Sequence, residues 1–135
     1  MRNRTGEDGF SLVELLVVVI IIGILAAIAV PVFLSQRESG FRASLRSDLR
    51  NAASAVESAA ADREGAYGWM TAGTEVASLP GVEYDASEPT VRVAVGPTAG
   101  TVKDYCLDAT DGRLGSGEPW RYRKSEGTPA AGACS

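Results

Sequence analysis

The chemistry open to this 135-residue chain is bounded first by what it lacks and then by one misplaced acid. Histidine is absent. That removes the commonest general base, the His-dependent nucleophile arrangements and most zinc sites. Among the acids, Glu14 stands out, because it lies directly against the run from Leu15 to Val30, which carries no charge and no strongly polar side chain. A carboxylate entering lipid costs about 2.5 kcal/mol or more near mid-membrane and less near the interface. Part of its role is local. Ser11-Leu12-Val13-Glu14 fits the S-x-x-E capping box, in which the acid satisfies a free backbone N–H and favours the positive end of a helix. A cap explains a helix start and gives no reason for an acid at the edge of a membrane segment.

The remaining reactive side chains sit in the last third. Cys106 and Cys134 are too far apart for a C-x-x-C redox or zinc motif. After a membrane-targeting segment they read as one disulfide formed outside the cytoplasm, worth roughly 3.5 kcal/mol in the chain-entropy picture. Two free thiols in a cytosolic protein are the alternative. Asp104, Asp108 and Asp111-Gly112 invite a calcium reading, but their spacing does not fit an EF-hand loop, and ordinary Asp-Gly turn chemistry accounts for them. No metal and no cofactor is expected. Arg121, Arg123 and Lys124 form a small basic cluster that reads as a solvated strand face, so DNA binding is not indicated.

Charge agrees. The chain has 13 basic and 17 acidic side chains, net −4. Arg2 and Arg4 among the bases, and Glu7, Asp8 and Glu14 among the acids, precede Arg37, which leaves 11 basic and 14 acidic residues in the polar part. Neither balance suits a protein that gains its affinity by neutralising phosphates.

The elements that must position these residues follow from periodicity. Leu15 to Gln36 is 22 residues without a charge. As a helix it spans about 33 Å, enough for a bilayer core. Arg2 and Arg4 hold the amino terminus on the cytoplasmic side and leave the rest of the chain outside. A cleaved secretory signal peptide is the rival, with Ala27-Ile28-Ala29 as an A-x-A-like site. Against it, Glu14 falls between the basic residues and the apolar core, and the apolar stretch continues past the cut to Leu34.

After Leu34 the pattern stays helical. Phe41, Leu45, Leu49, Ala52, Val56 and Ala60 form one stripe, with Arg42, Arg46 and Arg50 on a neighbouring face and Glu38 placed to pair with Arg42. Gly65 and Gly68 end the helix near Asp62 to Glu64. Unbroken from Ser11, it would be about 78 Å long. Pro31 lacks a backbone donor and predicts a kink or a locally unwound stretch.

From Gly65 the composition shifts to Gly, Thr, Val and Pro. Tyr67 to Gly73 reads as a connecting loop whose aromatics cover the core. Thr90 to Val95 places valine at alternate positions and predicts a strand. Gly96 to Gly100 is a turn, Thr101 to Leu107 the return strand, and Trp120 to Arg123 a further strand. Gly81 to Tyr84 is a candidate edge strand. Antiparallel strands laid on the helix stripe give one small α+β domain.

Gly9, then Phe10-Ser11-Leu12-Val13-Glu14-Leu15-Leu16, a long apolar run and Pro31 resemble the amino terminus of type IV pilins and related pseudopilins. The likeness covers Gly9 to Pro31. It implies a leader, residues 1–9, removed by a prepilin peptidase between Gly9 and Phe10, with methylation of the new Phe10 amine. It implies further a transmembrane and assembly half at 10–36, an amphipathic half at 37–64, and a β-sheet head at 65–135 whose carboxyl-terminal segment is bounded by a disulfide. The Phe10 amine of a neighbouring subunit would then meet the Glu14 carboxylate in a growing fibre, and the helix from Gly23 to Pro31 would loosen on assembly. A pilin is stored in the cytoplasmic membrane with its amino end inside and is extracellular once polymerised. Its partners are further copies of itself, minor pilins, an assembly platform and a motor ATPase. A pseudopilin of a type II secretion system or competence apparatus is the nearest alternative. An enzyme tethered by a signal anchor is disfavoured by the missing histidine and the lack of a nucleophile or metal motif.

Overall fold

The computed structural model describes residues 9–97, 103–115 and 118–135. Its first element is a helix, α1, Leu12–Ala61. The chain divides into two compact units, Met1–Arg37 and Glu38–Ser135. In the first, the large apolar side chains from Phe10 to Leu34 are all exposed. The segment is long and apolar enough to cross a membrane. It is apolar around its whole circumference, as a helix surrounded by lipid or by other helices must be.

In the second unit the carboxyl half of α1 packs on a four-stranded antiparallel sheet: β1 (Val91–Val95), β2 (Cys106–Asp111), β3 (Trp120–Arg123) and β4 (Pro129–Ala131), in that order across the sheet. Leu45, Leu49, Ala52, Ala53, Val56, Ala59 and Ala60 are buried on the helix side. Small residues predominate there. The sheet contributes Val91, Val93, Val95, Leu107 and Ala109. The α+β architecture expected from the sequence is the one present.

α1 ends one residue after its last core residue, Ala60. The Gly65 N–H bonds the Ala60 carbonyl at 2.9 Å, and Glu64 takes φ +56° with Gly65 at +75°. This is a Schellman-type end with a non-glycine residue in the left-handed position.

The strand pattern departs from the sequence reading in two places. The return strand is not Thr101–Leu107 but Cys106–Asp111, and residues 98–102 of the expected turn and strand lie outside the described residues. The reason lies in cross-strand matching. Val95, Val93 and Val91 stand opposite Leu107, Ala109 and Asp111, so the inward valines select the segment with small or apolar residues on alternate positions. The Gly96 N–H closes the ladder on the Cys106 carbonyl at 2.9 Å. Gly81 to Tyr84 is not a strand. Gly81 takes φ +76° in a turn, and the Arg63 guanidinium holds the Pro80 carbonyl at 2.9 Å. The fourth strand is β4, whose proline suits the sheet edge it occupies.

Candidate functional site

The helix start carries the amino-terminal site. Gly9, Phe10 and Ser11 precede α1 and are exposed, Phe10 by 88%. The Ser11 hydroxyl accepts a hydrogen bond from the Val13 N–H at 3.3 Å, and the Glu14 Oε2 accepts one from the Ser11 N–H at 2.9 Å. The capping box anticipated from Ser11-x-x-Glu14 is therefore formed. The bond uses one carboxylate oxygen. Among the described residues nothing bonds the other, so the cap leaves Glu14 able to accept a further donor. Gly9 has open space around its Cα, where an added Cβ would meet nothing within 4 Å. Among the described residues nothing demands a glycine there.

Further along the same segment α1 runs through Gly23 and Pro31 without interruption. Pro31 has no N–H to give, so the Ala27 carbonyl loses its partner one turn back. Gly23, also clear of neighbours, adds backbone freedom and lowers helix propensity by about 1 kcal/mol relative to alanine. These are the weak positions of an otherwise uniform segment.

The second candidate region is the carboxyl end of the head. Cys106 and Cys134 are joined by a disulfide with their Cα atoms 6.0 Å apart. Asp108, within β2, accepts the Cys134 N–H at 2.6 Å, and the Arg123 guanidinium donates to the Ser135 carbonyl at 3.2 Å. Gly96 leaves the space that Cys134 fills. The last residues are thus held by a covalent bond, a carboxylate, a guanidinium and a notch.

The other aspartates singled out in the sequence have separate tasks. Asp104 Oδ1 accepts from the Tyr105 and Ser125 N–H groups, and its Oδ2 from the Ser125 hydroxyl. Asp111, fully buried, receives Nε and Nη2 of Arg113 at 3.0 and 2.7 Å. Those bonds hold its carboxyl below the usual carboxylate range against the opposing effect of burial. Of the basic cluster, Arg121 and Arg123 pair with Glu126 and Lys124 with Glu57.

Three anchoring groups escaped the sequence reading. Asp48 is buried on α1, where its carboxylate accepts the Ser87 N–H at 3.2 Å and hydroxyl at 2.7 Å, fastening the loop before β1. Its place three residues after Leu45, inside the apolar stripe, was the available signal. Glu57 accepts the Tyr67 and Tyr105 hydroxyls at 2.6 and 3.2 Å. Burial, helped by this carboxylate, pushes the Tyr105 phenol well above its ordinary value. Arg113 lies over the Phe41 ring at 4.3 Å and reaches Glu88 at 3.6 Å. No sequence spacing links residues so far apart.

Residues 4–30 match the family described as the prokaryotic N-terminal methylation motif. No curated protein and no solved structure matches the chain significantly. The match and the geometry meet at the same residues: exposed Gly9 and Phe10, the capped Glu14, and an apolar helix. The match supports reading the amino-terminal segment as similar to that of a type IV pilin-like prepilin with its leader motif. A single apolar helix behind such a leader fits a membrane-anchored protein.

Proposed function

We propose that the chain is the structural subunit of a type IV pilus. It is stored in the cytoplasmic membrane with its amino end inside and polymerised into an extracellular fibre without chemistry on any substrate. In this reading a prepilin peptidase removes residues 1–9 and methylates the Phe10 amine. Residues 10–36 form the membrane and assembly half, 37–64 the amphipathic half, and 65–135 the head. The observation that carries the proposal is the methylation motif at residues 4–30 lying over a helix with large apolar side chains exposed along its first half.

The mechanism is packing disciplined by charge. An unpaired carboxylate at Glu14 is costly in lipid, and the cleaved Phe10 amine of a neighbouring copy is the nearest cation that removes the cost. Only one vertical stagger brings the two together, so the lone acid sets the register of association, as single buried polar residues do in coiled coils. Loosening between Gly23 and Pro31 adjusts helix length within the fibre. An assembly platform, a motor ATPase and minor pilins complete the machinery. The bounded carboxyl-terminal segment favours the pilus over the pseudopilin of a secretion or competence apparatus.

The test is mass spectrometry of the sheared surface fraction. The reading expects fibres built from this chain, beginning at methylated Phe10. A mature chain beginning at Met1 or at Val30 would overturn it.

A further inference from the structure

The head has two flanks separated by α1. On one, Ser44 and Asp48 face the loop between the 3-10 turn Val76–Ser78 and β1, with the Ser87 hydroxyl 3.1 Å from the Ser44 hydroxyl. On the other, the Arg46 guanidinium lies 5.2 Å from the Trp120 ring centroid and Glu57 meets Lys124 at 3.9 Å. Successive helical residues turn by about 100°. Arg50, four residues after Arg46 and two after Asp48, therefore belongs to the flank with Trp120 and Lys124, away from the loop.

Apart from the half-buried Arg63 guanidinium, which is held by the Ala59 and Pro80 carbonyls on the loop side, the flanks carry opposite uncompensated charge. On the loop, Glu83 and Asp85 are exposed, and among the described residues no ion pair reaches either. Glu88, on the same loop, is taken by Arg113. On the far flank Arg50 and Lys103 are exposed and likewise unpaired among the described residues, while the neighbouring Arg121, Arg123 and Lys124 have carboxylate partners. Lys103 belongs to this flank because Asp104 beside it bonds Ser125, next to Lys124.

We propose that the head docks a second copy of this chain, with Glu83 and Asp85 of one copy facing Arg50 and Lys103 of the next. A two-fold pairing through either flank alone would set like charge against like. The matched arrangement joins unlike flanks, and such a contact repeats in an open row rather than closing on itself. Exposed pairs contribute little affinity individually, so their part is to fix which face meets which and to exclude the wrong neighbour. The inference rests on the polymerisation reading but uses none of its residues: Glu14 and Phe10 take no part.

The test uses the full chain in cells that export it. Three variants are compared with wild type: Glu83→Lys with Asp85→Lys, Arg50→Glu with Lys103→Glu, and all four together. Each two-site reversal is expected to lower shear-resistant fibre about tenfold, and the four-site reversal to restore most of it, because unlike flanks again face each other. Carbodiimide treatment of wild-type fibres should join Lys103 of one copy to Glu83 or Asp85 of another, read as a cross-linked peptide. Two-site variants with wild-type fibre yield, a four-site variant no better than its parents, or cross-links from Lys103 only to other carboxylates would overturn the proposal. A wild-type chain that forms no fibre would instead overturn the polymerisation reading beneath it.

Discussion

Gly96 and Cys134 meet more closely than any side chain on residue 96 allows: a Cβ built on Gly96 would lie 2.5 Å from the Cys134 Cβ and 2.7 Å from its Sγ. Asp108 Oδ2, at 3.3 Å, closes the same space. The glycine is there for room, since its backbone is not in the left-handed region. Both neighbours are fixed, one by the disulfide and one by its bond to the Cys134 N–H, so neither can swing aside as a flexible chain would. Gly96→Ala should cost about 1–3 kcal/mol, the usual range for overpacking, and slow disulfide closure. Urea unfolding and a thiol-labelling time course measure the two effects.

Removing the bridge is a separate matter. Cys106→Ser opens the loop between residues 106 and 134 and should lower head stability by about 3.5 kcal/mol while leaving membrane insertion intact. Unfolding midpoints alongside membrane fractionation would check both statements. Equal mobility on reducing and non-reducing gels of the wild-type chain, with both thiols labelling, would contradict the bridge itself.

Asp111 supplies the acid sensitivity. Its folded pKa is depressed, chiefly by the Arg113 guanidinium, so its contribution is present above the ordinary carboxylate value near 4 and is lost as the pH falls through the lower folded value. Wild-type head stability should fall below about pH 4, and Asp111→Asn should flatten that part of the profile. At neutral pH, Arg113→Gln should lower stability, because it removes the charge partner of the buried Asp111 carboxylate. Chemical denaturation across the pH range reads all three.

Tyr84 makes the opposite case. Its hydroxyl is buried with no hydrogen-bond partner among the described residues, and burial drives its pKa well above 10. Tyr84→Phe removes the orphaned group and keeps the ring against the core, so it should be neutral or stabilising by up to about 1 kcal/mol. A loss of more than that in urea unfolding would mean the hydroxyl has an uncounted partner.

What the sequence disclosed and what it withheld divide along physical lines. The capping box was legible because Ser11 and Glu14 act within one turn, and the cap is formed as spaced. The helix stripe and β1 were legible because periodicity reports burial directly, and Trp120–Arg123 appears with its expected bounds. β2 was misplaced because its register depends on Val91, Val93 and Val95 across the ladder, not on its own propensity. Two aspartates inside a strand look like turn residues until Cys134 and Arg113 are seen to hold them. Asp48 and Glu57 were missed for a related reason: their hydrogen-bond partners lie 10 to 48 residues away in the chain, and only folding supplies them, as it supplies Phe41 and Glu88 to Arg113.

The central claim is that Glu14 drives assembly through a neighbour's amino end and is not only a cap. Glu14→Ala removes both functions, whereas Glu14→Gln retains a carbonyl oxygen able to accept from the Ser11 N–H but carries no charge to meet a cation. The decisive measurement is the yield of sheared fibre from Glu14→Gln in cells where membrane insertion of the subunit is normal. Fibres should be lost, as in Glu14→Ala; fibre from Glu14→Gln alone at the wild-type level would contradict a charge-pairing role for Glu14.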